Sequence, residues 1–121
     1  MTALAGLRIL LVEDEAIIAM TAEDMLGSLG CEVVLTAGTL AEAIEAAKRG
    51  GFQAAMLDIN LNGSASLPVA DILKQAGTPF IFTTGYDSSG ASPHRDVPLV
   101  TKPYQIADLA AALALAIERG G

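Results

Sequence analysis

The sequence predicts a single α/β domain in which a five-stranded parallel sheet is covered by helices on both faces. Three observations predict it. Five short apolar runs alternate with segments of helical spacing along the 121 residues, and each parallel crossover needs a covering helix and is right-handed. Polar, chemistry-bearing residues gather at the carboxyl ends of those runs, where doubly wound sheets hold their ligands. No stretch reads as a linker, a repeat or a second domain, so residues 1–121 form one domain with a core from about 7 to 117.

Each element has its own signal. Leu7–Val12 (LRILLV) is a continuous aliphatic run, the pattern of a strand buried on both faces, and it ends in Glu13–Asp14–Glu15. Ala16–Leu29 follows with helical spacing and stops at Gly30, where a left-handed cap is cheap. Glu32–Leu35 is extended, and Thr39–Arg49 is helical, with Thr39 as N-cap and Gly50–Gly51 as the stop. A third strand, Gln53–Ile59 (QAAMLDI), leads through the loop Asn60–Ala65 to a helix near Ser66–Gln75, whose Pro68 falls in the tolerant first turn. Pro79–Thr83 is the fourth strand. Gly85–Pro98 is rich in Gly, Ser and Pro and reads either as an ordinary surface loop or as an element that orders in response to the site. A short strand, Pro98–Thr101, and a helix, Tyr104–Arg119, complete the pattern.

Composition narrows the function. Seven basic against fourteen acidic residues give a formal charge of −7, with no basic stripe for a nucleic acid. Although 52% of residues are hydrophobic, no apolar run approaches the roughly 18 residues needed to span a bilayer, and the start carries no basic export signal. The expectation is a soluble, cytoplasmic protein. Cys31 is the only cysteine, so neither an intrachain disulfide nor a cysteine zinc site can form; it reads as a small buried side chain.

The strand ends bring together Glu13 and Asp14, then Asp58 with Asn60, then Thr83–Thr84–Gly85, then Lys102–Pro103. If the first strand lies beside the third, Asp14 and Asp58 face one small space, where like charges repel unless a cation sits between them. Mg²⁺ suits such a place, because it takes hard oxygen ligands and only one or two carboxylates. A carboxylate beside Mg²⁺ can attack a phosphoryl group, with a lysine and a hydroxyl stabilising the transferring oxygens. Asp58 is the best nucleophile candidate.

The motifs LLVEDE, LDINLNG, FTTGYD and TKPY, in this order and spacing, closely resemble those of receiver domains of two-component response regulators, over about Leu7–Ile117. The resemblance implies a flavodoxin-like (βα)₅ fold with strand order 2-1-3-4-5. It implies phosphorylation on Asp58 by a histidine kinase or phosphotransfer protein, and direct Mg²⁺ binding by Asp14, Asp58 and the Asn60 backbone carbonyl. Glu13 would help through water or as an outer acid, Thr84 would hydrogen-bond the phosphoryl group, and Lys102 would pair with it. The fifth strand carries Leu99 where most receivers have an aromatic residue. With FTTGYD, this resembles the FATGUY subgroup, associated with HWE-type kinases and stress signalling, although Asp87 stands where that motif has Tyr.

Other residues have two readings. Tyr86 either shields an acyl phosphate from water or packs on the sheet edge. His94 reads as a solvated loop residue and not as a phosphodonor. Leu109, Leu113 and Ile117 form a core stripe on the last helix, while its remaining Ala and Leu residues either cover a second face, as in a weak homodimer or a partner contact, or simply favour helix. The expected output is a change of protein contacts rather than metabolic turnover. A phosphate shuttle or sink, or a receiver from a larger regulator or hybrid kinase, fits the same residues. A haloacid-dehalogenase-type phosphohydrolase would need a general-acid Asp where Asn60 stands, and the nucleotide-binding motifs GxGxxG and GxxxxGK[ST] are missing.

Overall fold

A computed structural model describes residues 4–85, 94 and 96–119. The chain runs β1 (Arg8–Val12), α1 (Ala16–Ser28), β2 (Glu32–Ala37), α2 (Leu40–Arg49), β3 (Ala54–Asp58), β4 (Asn60–Leu61), β5 (Ser64–Ala65), α3 (Leu67–Ala76), β6 (Phe80–Thr84), β7 (Leu99–Thr101) and α4 (Ile106–Glu118). The main sheet is parallel, in the order β2-β1-β3-β6-β7, the doubly wound arrangement expected.

Side chains alternate across each strand, and here the alternation divides the core into two layers. Ile9, Leu11, Ala54, Met56 and Ile81 face α1 and α4 through Ala22, Leu26, Leu109 and Leu113. Leu10, Val12, Ala55, Leu57 and Phe82 face α2 and α3 through Ala43, Ala47, Val69 and Leu73. Because β1, β3 and β6 are buried on both sides, each carries a continuous apolar stretch, Ile9–Val12, Ala54–Leu57 and Phe80–Phe82. Many helix contacts to the sheet are alanines, which let the helix backbones approach closely.

Local chemistry sets the ends. Thr39 caps α2 by accepting a hydrogen bond from the Glu42 amide at 3.1 Å, and Glu42 returns one from the Gly38 amide at 3.0 Å. Together these satisfy amides that a helix start leaves without partners. Gly77 ends α3 in the left-handed conformation. Pro68 lies in the first turn of α3, as expected.

Three details differ from the sequence reading. β2 runs two residues past Leu35, because its ladder with β1 continues to Val12↔Ala37. The segment expected to be a plain loop contains a two-residue hairpin, with Asn60 opposite Ala65 and Leu61 opposite Ser64. Its turn residues Asn62 and Gly63 both have positive φ, at 51° and 88°, the Asn-Gly signature of a tight hairpin. His94 is half-buried rather than solvated, its ring stacked on Phe82 with centroids 5.8 Å apart and planes 7° from parallel. Cys31 is buried as expected, its thiol pushed up by burial and donating to the Leu4 carbonyl at 3.5 Å. Tyr86, Asp87 and most of Gly85–Pro98 lie outside the described residues, with the readings attached to them.

Candidate functional site at the carboxyl edge of the sheet

The strand order puts β3 at the centre, between β1 and β6, so the residues that follow these strands meet at one edge. Backbone hydrogen bonds carry the ladder beyond the strands and fix the first loop residues. The Glu13 amide donates to Ala37 at 3.0 Å, Ile59 to Thr83 at 3.0 Å, and Lys102 to Thr84 at 2.8 Å. The side chains of Glu13, Asp58 and Lys102 therefore converge from sheet positions rather than from loose loops.

Lys102 is the centre of the charge arrangement. Its Nζ lies 2.7 Å from Glu13 Oε1 and 2.9 Å from Asp58 Oδ2. All three groups are largely withdrawn from water, with side-chain exposures of 11% for Lys102, 1% for Glu13 and 6% for Asp58. Burial alone would lower the Lys102 ammonium, but hydrogen bonds to Glu13 and Asp58 outweigh it and hold the group above its ordinary range. Burial pushes the Glu13 carboxyl up, opposed by Lys102 and by the Glu15 amide. For Asp14, burial acts upward, and hydrogen bonds with the Glu13 side chain and the Asn62 amide bring it below the usual carboxylate range.

The hairpin completes the rim. Asn62 donates its amide to Asp14 Oδ2 at 2.9 Å, and Gly63 donates to Asn60 Oδ1 at 2.7 Å. Ser66 donates its amide to the Ile59 carbonyl at 2.9 Å, so Ile59 and Ser66 form a bonded pair. Antiparallel pairs alternate, which makes Asn60 and Ala65 a non-bonded pair whose backbone groups turn away from the hairpin. The Asn60 amide accordingly donates to Asp58 Oδ1 at 3.2 Å, and its carbonyl projects from the same side of the strand.

Carboxylate oxygens of Glu13, Asp14 and Asp58 lie within 4.8 Å of one another, a spacing that could hold a metal ion. The donor set fits a hard cation: three carboxylates and a turned-out carbonyl, without a nitrogen or sulfur ligand among them. This group borders a cleft of about 930 Å³ that Thr84, Lys102 and Tyr104 also line. Thr84 is 9% exposed at the end of β6. Every site residue expected from the sequence thus lies at this edge.

Tyr104 was missed as a site residue, although it stands in the TKPY motif. It is 6% exposed, and its hydroxyl donates to Glu13 Oε1 at 3.4 Å. Burial pushes its hydroxyl well above the ordinary tyrosine range. Its spacing from Lys102 was the available signal, but an aromatic three residues after a strand end equally suits packing.

Known proteins agree with this geometry. Residues 9–114 match the family model of the response regulator receiver domain. The phyllosphere-induced regulator PhyR of Methylorubrum extorquens is 39% identical over 116 residues, covering 90% of this chain and 43% of PhyR. This chain thus spans less than half the length of that curated relative. The solution structure of SdrG from Sphingomonas melonis Fr1 superposes with a TM-score of 0.82 at 39% identity, covering 96% of this chain and 99% of SdrG. The receiver domain of Erythrobacter litoralis PhyR gives a TM-score of 0.81 at 34% identity, with 99% and 96% covered. The chain belongs to the response regulator receiver domains of two-component signalling systems.

Proposed function

We propose that this chain accepts a phosphoryl group on Asp58 from a phosphohistidine of a histidine kinase or phosphotransfer protein. The observation that carries the reading is the Lys102 ammonium at 2.9 Å from a buried aspartate that also borders the three-carboxylate group. One Asp58 oxygen attacks phosphorus, the new P–O bond forms as the P–N bond breaks, and the imidazole nitrogen leaves with the electron pair. Lys102 and the Thr84 hydroxyl bind the transferring oxygens.

Asp14, Asp58 and the Asn60 carbonyl would hold Mg²⁺, with Glu13 acting through water. When bound, the ion neutralises charge between carboxylate and phosphoryl oxygens. Asn60 has no acidic proton to give, so the acyl phosphate persists rather than turning over rapidly. We therefore read a signalling module and not a metabolic enzyme, acting in the cytoplasm; among the described residues no helix is long and apolar enough to cross a membrane.

The signal leaves as altered protein contacts. A receiver acting alone and a receiver within a larger regulator, as the 43% coverage of PhyR would suit, are both compatible with this chemistry. A phosphate shuttle or sink uses the same chemistry. The FATGUY-like features make an HWE-type kinase the donor we would try first.

Intact-mass measurement after incubation with acetyl phosphate tests the reading. One phosphate adduct is expected, dependent on Mg²⁺ and lost in Asp58→Asn. Stoichiometric labelling of Asp58→Asn would overturn the site assignment.

A further inference from the structure

The proposed reaction gives the buried Tyr104 hydroxyl no role. The Tyr104 hydroxyl donates to Glu13 Oε1 at 3.4 Å and interacts with the side chain of Thr83, which is 1% exposed. A chain of contacts consequently runs from Thr83 on β6 through Tyr104 and Glu13 to Lys102 and Asp58. We propose that Tyr104, backed by Thr83, is a positioning residue that keeps Glu13 hydrogen-bonded while Lys102 turns from Glu13 toward a phosphoryl group on Asp58.

Glu13 Oε2 is supplied by the Glu15 amide at 3.1 Å, whereas Oε1 depends on Lys102 at 2.7 Å and on Tyr104. A phosphoryl group adds charge beyond Asp58, and an ammonium that follows it lengthens its contact with Glu13. A buried carboxylate oxygen stripped of its donor is costly, and the cost would fall on the phosphorylated state alone. A tyrosine already within reach of Oε1 supplies the replacement by a small approach. Thr83, which interacts with that hydroxyl, lies on the strand that ends in Thr84 and would steady the approach.

This inference rests on the proposed phosphoacceptor role, and one experiment separates their failures. Mg²⁺ affinity is measured by calorimetry. The affinity for beryllofluoride, a phosphoryl mimic, is then measured in saturating Mg²⁺ by fluorine NMR, for the native chain, Tyr104→Phe and Thr83→Val. Tyr104→Phe removes only the hydroxyl, and Thr83→Val replaces a hydroxyl with a methyl group of similar size. The expected result is near-native Mg²⁺ affinity with beryllofluoride binding weakened about fivefold in Tyr104→Phe, the ratio that one hydrogen bond of ordinary net strength supplies. Thr83→Val moves the same way by less. A purely structural role would weaken Mg²⁺ and beryllofluoride binding together, and that result overturns the proposal. So does native beryllofluoride affinity in both variants. A native chain that binds neither probe overturns the phosphoacceptor reading and this inference with it.

Discussion

At the scale of single residues, one ammonium is shared between two buried carboxylates, and Glu13 is the more burdened of the two. Burial pushes its carboxyl up and Asp58 adds repulsion, while Lys102 and the Glu15 amide only partly compensate. A carboxyl whose folded pKa is raised stabilises the fold fully below its unfolded value, near 4.3, and loses that contribution as pH rises through the folded value. At neutral pH the metal-free chain therefore carries a penalty at Glu13. Glu13→Gln should raise its melting temperature by a few degrees, the shift about 1 kcal/mol gives a domain of this size. The gain should vanish in acid below pH 4, where the native Glu13 is protonated in both states. Thermal unfolding followed by circular dichroism across pH checks this; a variant less stable than native at pH 7 would show that pairing with Lys102 dominates. The types and order of the residues gathered at the carboxyl edge were legible in the sequence, because the motifs that carry them are contiguous. The sharing of Lys102, the burial of Glu13 and the role of Tyr104 were not, because they depend on distances between strands far apart in the chain.

At the scale of elements, sequence and structure agree where burial is two-sided. β1, β3 and β6 each contain a continuous apolar stretch because helices cover both faces, and α2 is bounded by the Thr39 cap and by Gly50. The β4–β5 hairpin escaped notice because two-residue strands carry no periodicity; only Asn62–Gly63 signalled it, and their positive φ values are what such a turn demands. That small element matters to the site, since it aims the Asn60 carbonyl and ties Asn62 to Asp14. On α4, the fold buries Leu109, Ala112, Leu113 and Ala116 but leaves Leu115 39% exposed, beside exposed Ala111 and Ala114. Ile117 is only half-buried, so the core stripe follows alanines as well as the expected leucines. We propose weak self-association through the remaining face. Sedimentation velocity should detect a concentration-dependent dimer that Leu115→Lys abolishes; a native chain that stays monomeric at every concentration would dispose of it.

For the whole molecule, the parallel sheet explains why the chemistry sits where it does. Every strand of the main sheet points its carboxyl end to one edge, so residues 13, 58, 84 and 102 meet there although the chain separates them widely. The two-layer core holds that edge rigid, since each central strand is anchored by a helix pair on either side. Strand order could not be deduced from local patterns, as every order of five buried strands has the same periodicity. It followed from the resemblance of the four motifs, and the observed order matches it. On this geometry we propose Asp58 as the phosphoacceptor. The most direct test is to treat the chain with acetyl phosphate and Mg²⁺, reduce with borohydride, and map the product by peptide sequencing in a mass spectrometer. Borohydride converts an aspartyl phosphate to homoserine. Homoserine at residue 58 alone, and only when Mg²⁺ was present, is the predicted result; homoserine at residue 14 or at another carboxylate, with residue 58 intact, would contradict it.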